Sequence, residues 1–207
     1  MRKLLLAGAA ILALGVGSGP AKADGTVYQE MPAGVYKLDE THASLIWKVS
    51  HLGLSDYTAR FTKFDADLTF DPENPENSSL TATVDPTSIK TDYPGEKDFD
   101  KELVEKETWF NAGEYPEIKF VSTNVEKTGE NTGIITGDLT FLGVTKPLTL
   151  DVTFNKALAK QPFSGKPTLG FSASGTLERS KWGMDTYVPN IGDTVELLIE
   201  AEFAKDE

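Results

Sequence analysis

The chain has 207 residues, a formal net charge of −12 and no cysteine. Its excess of acidic residues disfavours binding to nucleic acid and to anionic membrane surfaces, because these carry negative charge themselves. The lack of cysteine excludes disulfide bonds, thiolate metal ligands and a cysteine nucleophile.

The N-terminus has the pattern of a secretory signal peptide. Two basic residues precede an apolar run over residues 4–16, and Ala-Lys-Ala at residues 21–23 fits the small-x-small cleavage rule. The run is shorter than the roughly 20 residues of a membrane-spanning helix, and no cysteine follows it to carry a lipid anchor. We therefore expect cleavage after Ala23, no stable membrane anchor, and one exported domain over residues 24–207. An exported chain without disulfides fits the bacterial periplasm.

The domain is dominated by an alternation of apolar and polar residues. Within residues 41–51, Leu45, Trp47, Val49 and His51 share one parity, whereas most residues of the other parity are polar. Because successive side chains of a strand point to opposite faces, this pattern predicts an antiparallel strand with one face in a core or cavity. The same alternation predicts further strands at residues 34–39, 57–70, 80–85, 118–123, 135–141, 148–154, 169–177 and 195–203.

One of these strands contains an irregularity. Within residues 57–70, Phe61 and Phe64 lie on opposite parities. We expect a β-bulge near residues 62–63, since one extra residue would bring both rings to the inner face.

A single region, residues 86–116, shows no period of two. Its charged stretch at residues 97–108 predicts a short helix with Phe99, Leu103 and Val104 on one side, packed as a crossover on one end of the sheet. Eight or nine antiparallel strands with one helical insert indicate an all-β protein that is either a sandwich or a closed barrel. A barrel of about eight strands can hold one small ligand.

The sequence shows no catalytic constellation. His42 and His51 would face opposite sides of one strand, so they cannot share a metal ion or a proton there. Ser172 and Ser174 lie between glycines but lack the G-x-S-x-G spacing of a nucleophile elbow. Zinc-protease, P-loop and dinucleotide fingerprints are also missing. We therefore predict a protein that is not an enzyme and that uses no metal or cofactor.

The inward aromatic residues leave alternatives open. In a sandwich they would fill a packed core, and the protein would be a stress-related, partner-binding domain. In a barrel they would line an apolar tube, which can hold a hydrocarbon chain without any catalytic motif. His51 would then either bond to a loop carbonyl or contact a ligand head at the cavity mouth. A weaker alternative is a hydrolase that uses Ser172 or Ser174 with His51.

The order of short motifs resembles the YceI-like proteins, a family of periplasmic polyisoprenoid-binding proteins with a lipocalin-like barrel. The matching pieces follow the family's order over nearly all of the domain. They are Tyr36-x-Leu-Asp39, His42-x-Ser44-x-x-Trp47-x-Val49-x-His51-x-Gly53, Phe61-x-x-Phe64, Ser88-Ile89-x-Thr91, Asp100-x-x-Leu103, Phe110 before Tyr115-Pro116-x-Ile118-x-Phe120, Gly137-x-Leu139-x-x-x-Gly143-Val144-Thr145, Arg179-Ser180-x-Trp182-Gly183-Met184 and Gly192-Asp193.

This resemblance implies an eight-stranded, extended lipocalin-like barrel whose lumen holds a long apolar chain. The protein would be a carrier or sequestering protein for a polyisoprenoid, an isoprenoid quinone or a fatty-acyl lipid, and a homodimer is one assembly to test. Strand parity supports most of the implied ligand-binding residues, whereas the last two rest on the motif alone. The implied residues are Trp47, Val49, His51, Phe64, Phe120, Phe141, Leu150, Phe171, Trp182 and Met184.

Overall fold

The computed structural model describes residues 27–206, so the predicted signal peptide and its cleavage site lie outside the described residues. Within this range the chain is mostly β-structure, with one α-helix and several short 3-10 turns. The elements are β1 (Gly34–Leu38), β2 (Ser44–His51), β3 (Ser55–Phe61), β4 (Phe64–Phe70), β5 (Ser79–Val84), β6 (Ile89–Lys90), α1 (Phe99–Glu105), β7 (Ile118–Lys127), β8 (Thr132–Phe141), β9 (Val144–Leu158), β10 (Thr168–Glu178) and β11 (Ile191–Lys205).

The strands form one antiparallel sheet that closes into a barrel. Its order is β1-β4-β5-β7-β8-β9-β10-β11, and β11 pairs back onto β1. The long β11 also pairs with β2, while β3 pairs with β2 and β6 pairs with β3. The segments β2, β3 and β6 therefore continue the lines of β1, β4 and β5, and the barrel has eight strand positions. The predicted all-β, eight-stranded barrel with a helical crossover is confirmed, and the sandwich is excluded.

Side-chain alternation explains how the barrel wall forms. Ala173 on β10 pairs with Ile199 on β11 and with Val152 on β9, and all three side chains face the interior. Close packing across strands also restricts which residue type fits at one position of the wall. A Cβ atom at Gly137 would lie 2.4 Å from the ring of Phe120, so this approach of ring to backbone requires glycine.

The prediction of one continuous strand over residues 57–70 is wrong. The structure divides it into β3 and β4, which pair with different neighbours. At the break, the backbone N–H of Thr62 donates to Ser88 O (3.1 Å) and that of Lys63 donates to Ser88 Oγ (3.0 Å). Ser88 thus provides acceptors that a regular strand partner would provide, and Phe61 and Phe64 both face the interior as predicted.

Residues 91–117 form a crossover between β6 and β7. Its helix α1 is shorter than the predicted span of residues 97–108. The crossover is fixed at its start by Asp100, whose Oδ1 accepts hydrogen bonds from Thr91 N (2.9 Å) and Thr91 Oγ1 (2.6 Å). Leu103 on α1 is buried against the barrel. No helix within residues 27–206 is long and apolar enough to cross a membrane.

The two ends of the barrel are closed in different ways. At the sealed end, residues 28–32 pack across the barrel, and Met31, Tyr36, Ala157 and Leu169 are each at most 2% exposed. The opposite end, called here the crossover end, is covered by loops and by α1. These covering segments are residues 52–54, 91–117 and 179–190.

Candidate ligand-binding cavity

The barrel encloses a cavity of about 290 Å³. One water molecule needs about 10–15 Å³ of such space, so the interior could hold a ligand much larger than a few waters. Strands from all round the barrel contribute to the wall, and the crossover closes it on one side. The packed-core alternative is therefore wrong, because the side chains of this barrel do not fill it.

The structure places most of the predicted ligand residues around this cavity. Trp182 lies in the wall beside it, 3% exposed, and donates its Nε1–H to Leu139 O at 3.2 Å. Contact of any of these residues with a ligand stays a prediction. Those that line the cavity are Trp47, Val49, Phe64, Phe120, Phe141, Leu150, Phe171 and Met184.

The structure does not place His51 in the wall of the lumen, and contact of His51 with a ligand head at the edge of the cavity stays a prediction. His51 is exposed at the last position of β2 and does not line the cavity, although it has the same parity as Val49. The register between β2 and β11 shifts between Ile191 and Val195, so regular pairing is interrupted just before this residue. Parity predicts a side chain's face only where the strand still belongs to the wall.

Several cavity residues were not singled out from the sequence. Leu103, Trp109 and Phe110 reach the cavity from the crossover. The apolar side of the predicted helix was the available signal for Leu103, but no period indicates how an irregular crossover folds back onto a barrel. Arg179 belongs to a motif that was recognised, yet nothing in its local sequence indicates that it faces a lumen.

Within residues 27–206, Arg179 is the one residue with a charged side chain in the cavity wall. Its guanidinium donates four hydrogen bonds to backbone carbonyls, from Nε to Gly192 (2.8 Å), Nη1 to Met184 (2.8 Å), and Nη2 to Thr186 (2.9 Å) and Ile191 (3.0 Å). Burial lowers the pKa of Arg179, although nearby carboxylates oppose the shift. The donors of Arg179 thus hold the loop, and the cavity surface stays apolar.

Asp193 fixes the same loop from the side of β11. Its carboxylate accepts hydrogen bonds from Ser180 N (2.8 Å) and Ser180 Oγ (2.7 Å). Burial raises the pKa of Asp193, but these two hydrogen bonds and the charge of Arg179 outweigh burial, so the net shift is downward. The carboxylate therefore stays ionised beside the buried guanidinium.

The crossover meets this loop at the crossover end of the cavity through side-chain packing rather than strand pairing. The ring of Trp109 packs on that of Tyr187, with 6.1 Å between centroids, and the guanidinium of Arg179 lies 5.9 Å from the Trp109 ring. Thr186 Oγ1 donates to Thr108 O at 3.3 Å. Strand pairing, which holds the rest of the wall, is replaced here by ring contacts and single hydrogen bonds.

A smaller hollow of about 120 Å³ lies at the sealed end. Phe171 is among the residues that line both spaces, so a wall of apolar side chains separates them. Tyr28 covers this hollow: its ring contacts Phe154 edge-to-face with 5.5 Å between centroids, and its hydroxyl accepts a hydrogen bond from Lys127 Nζ at 2.8 Å.

The structure does not assemble the hydrolase alternative. Ser174 pairs with Leu198, and Leu198 pairs with Ile46 on β2. His51 lies five residues further along β2, which at about 3.3 Å per residue is about 16 Å away. The Oγ of Ser172 instead donates to Glu200 at 2.6 Å on the outer surface.

One group of metal-compatible side chains lies outside the barrel. Donor atoms of Asp39, His42 and Glu202 lie within 4.8 Å of one another. Asp39 already accepts hydrogen bonds from Thr41 N (3.0 Å) and His42 Nδ1 (2.8 Å). These bonds cap the 3-10 turn before β2, so a structural role accounts for the group.

Comparisons with known proteins agree with this architecture. A UPF0312 protein of Pseudomonas fluorescens is 36% identical over 180 residues, which cover 86% of this chain and 90% of the relative. The crystal structure of a YceI protein of Campylobacter jejuni superposes with a TM-score of 0.66 at 30% identity, covering 77% of this chain and 91% of that one.

A more distant structure shares the fold alone. It is a polyisoprenoid-binding domain from Saccharophagus degradans, with a TM-score of 0.61 and 12% identity over 84% of this chain and all of that domain. The family model described as the YceI-like domain matches residues 36–203, which include every strand of the closed barrel at least in part. The chain therefore belongs to the YceI-like domain family.

Proposed function

We propose that this protein binds a long apolar chain, such as a polyisoprenoid, an isoprenoid quinone or a fatty-acyl lipid, inside the barrel. The observation that carries the proposal is the cavity of about 290 Å³, whose lining side chains are apolar apart from the engaged Arg179 and the indole N–H groups of Trp47 and Trp109. The name of the Saccharophagus degradans domain, which states polyisoprenoid binding, supports the same ligand class.

The energetics favour a hydrocarbon in this site. A chain of about 16 carbons gains about 13 kcal/mol when it leaves water, at about 0.8 kcal/mol per methylene. Ordering the chain and losing its free motion cost several kcal/mol of that gain. The remainder permits tight binding without polar contacts, whereas a polar head inside this wall would lose its hydrogen bonds to water. The head group is therefore expected to stay at the edge of the cavity.

A substitution that fills the lumen tests the proposal. Ala173 faces the cavity from β10, and Ala173→Phe would occupy the space that the chain needs. Ser174→Phe is the matched control, since the neighbouring residue faces the outer surface. We expect native mass spectrometry to show a bound prenyl or C16 chain in the wild type and in Ser174→Phe, and at least about a tenfold loss of binding in Ala173→Phe.

The proposal is contradicted if the wild-type protein carries no apolar chain from its own host and cannot be loaded with one from a dilute dispersion. Equal binding by both variants would show that the chain lies somewhere other than the lumen.

We further propose that the protein acts in the periplasm as a carrier or as a sequestering protein rather than as an enzyme. The signal-peptide pattern supports the location, and the absence of an assembled catalytic group within residues 27–206 supports the role. Fractionation of the native host should recover a mature chain that begins at Asp24. A chain retained in the cytoplasm with its leader intact would refute the location, and light scattering would test the predicted homodimer.

A further inference from the structure

Four exposed apolar side chains lie together at the crossover end. Leu52 and Leu54 come from the turn between β2 and β3, and Tyr187 and Val188 come from the loop before β11. Their exposed fractions are 55%, 82%, 67% and 36%. These four residues are called the apolar tip. Other exposed apolar side chains lie elsewhere on the surface, such as Val121 on the barrel wall and Phe163 in the loop between β9 and β10, and single exposed apolar residues are usual on proteins.

One backbone hydrogen bond joins the two loops of the apolar tip, and a second closes the loop before β11. Leu52 N donates to Asn190 O at 2.7 Å, and Ile191 N donates to Tyr187 O at 2.9 Å. Leu52 and Tyr187 also have positive φ angles of 56° and 63°, in a region where residues with bulky side chains are uncommon. Glycine or asparagine would turn the chain there at lower cost, so the backbone conformation does not by itself select apolar side chains at these positions.

The apolar tip adjoins the crossover end of the cavity. The ring of Tyr187 packs on Trp109, which lines the cavity, and Ile191 lines it too. The contact between Tyr187 and Trp109 is part of the seam where the crossover meets the loop over residues 179–190. An apolar chain that passed through this seam would move directly between the exposed tip and the lumen.

On the basis of the proposed function, we infer that the apolar tip docks on an uncharged, zwitterionic lipid bilayer. The bound apolar chain would then move between the bilayer and the lumen at this end of the barrel. Four side chains are too few for a stable protein partner or a second copy, which usually needs 20–30 residues on each side. A bilayer requires no matching surface, and leucine and tyrosine both favour its interfacial region. The exposed carboxylates of Asp56 and Asp185 flank the tip and disfavour anionic lipid.

Chain transfer from vesicles tests this inference. A fluorescent prenyl chain would be placed in phosphatidylcholine vesicles, and its uptake by the full mature protein would be followed over time. The test variant is Leu52→Ser with Leu54→Ser. The matched control is Phe163→Ser, which removes a side chain that is 95% exposed in the loop at the opposite end. We expect about a tenfold slower uptake in the double variant, from the lost apolar contact, and an unchanged rate in the control.

Lipid charge gives a second readout. Phosphatidylglycerol in the vesicles should slow uptake by the wild type at low salt, and added salt should restore the rate as the repulsion is screened. An uptake rate that rises with phosphatidylglycerol, or that Phe163→Ser lowers as much as the double variant does, would overturn the inference.

Loading in the absence of vesicles separates this inference from the proposed function. All variants should take up the chain equally from a dilute ethanol dispersion, because the lumen is unchanged. Equal loading together with wild-type transfer by the double variant would refute docking and leave the binding function intact. Failure of the wild type to load would refute the binding function itself. A wild-type dimer that the double variant dissociates would show a second copy on the tip and would also overturn the inference.

Discussion

The sealed end and the crossover end solve the same problem, closing a barrel, by different means. At the sealed end, Tyr36 and Leu169 are fully buried and lie on strands that hydrogen-bond to neighbours on both sides. At the crossover end, the cover is an irregular segment whose ring and single hydrogen-bond contacts centre on Trp109 and Arg179. Closure over a buried cluster of paired strands spreads stability over many contacts, whereas closure by loops alone concentrates it in fewer.

The packed end and the irregular cover contribute differently to function. A packed end gives the barrel its stability, so the interior beside it can stay hollow without collapse. A cover that is held by side-chain contacts rather than by a strand ladder can open locally at a smaller free-energy cost than strands can. The molecule therefore combines a rigid end with an end through which a chain could pass.

The largest effect is expected at Arg179. Arg179→Met leaves four backbone carbonyls of the loop and of the start of β11 without their donor, and we expect it to lower the free energy of unfolding by about 3–5 kcal/mol. Arg179→Lys keeps the charge but not the planar fork, so its loss should be intermediate. Urea denaturation measures both variants. A loss below about 1 kcal/mol in Arg179→Met would contradict the view that closure by loops depends on few side chains.

The next effect contrasts the packed and the hollow parts directly. Leu169 is fully buried, whereas Leu197 is only partly buried and borders the cavity. Leu169→Ala should lower the free energy of unfolding by about 2–5 kcal/mol, because it creates a new void in a packed cluster. Leu197→Ala enlarges a space that already exists, so it should cost about half as much and lower chain affinity instead. Equal costs in denaturation would indicate that the two regions are packed alike.

A third effect appears only at alkaline pH. Burial raises the pKa of Tyr36 to about 12 in the folded protein, against an ordinary value of 10.0. Because the pKa of Tyr36 is higher in the folded than in the unfolded protein, the contribution of the neutral Tyr36 to the free energy of unfolding is fully present below pH 10. That contribution is lost as the pH rises towards 12. The loss should reach about 2–3 kcal/mol.

Tyr36→Phe removes both the ionisation and the hydrogen bond from the Tyr36 hydroxyl to Pro32 O, which is 2.7 Å long. The variant should be about 1 kcal/mol less stable than the wild type at neutral pH. The two stabilities should converge and then cross between pH 10 and 12. Denaturation curves that stay parallel over this range would show that the sealed end admits water to Tyr36.

The sequence predicts the sealed part of the molecule better than the cover. Period-two alternation indicated the inner residues of β10 and β11, including Ala173 and Leu197, because every residue there belongs to a regular ladder. It failed at His51, where the ladder ends, and at residues 62–63, where Ser88 from another segment replaces a strand partner. Nothing local could place Trp109, since its position depends on how the crossover folds against a distant loop.

The smallest effect concerns a surface pair that borders the sealed end, where Asp39 N also donates to Glu202 O at 2.8 Å. The hydrogen bond and charge of Asp39 raise the pKa of His42, while hydrogen bonds from Thr41 and His42 lower the pKa of Asp39. The contribution of His42 is therefore fully present below its unfolded pKa, near 6.5, and is lost as pH rises through its higher folded pKa. That of Asp39 is lost as pH falls below about 4.

His42→Ala should thus destabilise the protein slightly between pH 4 and 6.5, with the difference from the wild type fading above neutral pH. His51→Ala, at the other end of β2, is the matched control for loss of a histidine. Thermal denaturation should show a larger difference in melting temperature between His42→Ala and His51→Ala at pH 5.5 than at pH 8.5. A pH-independent difference would mean that this pair only caps the turn before β2, so that stability at the sealed end comes entirely from the buried cluster beneath it.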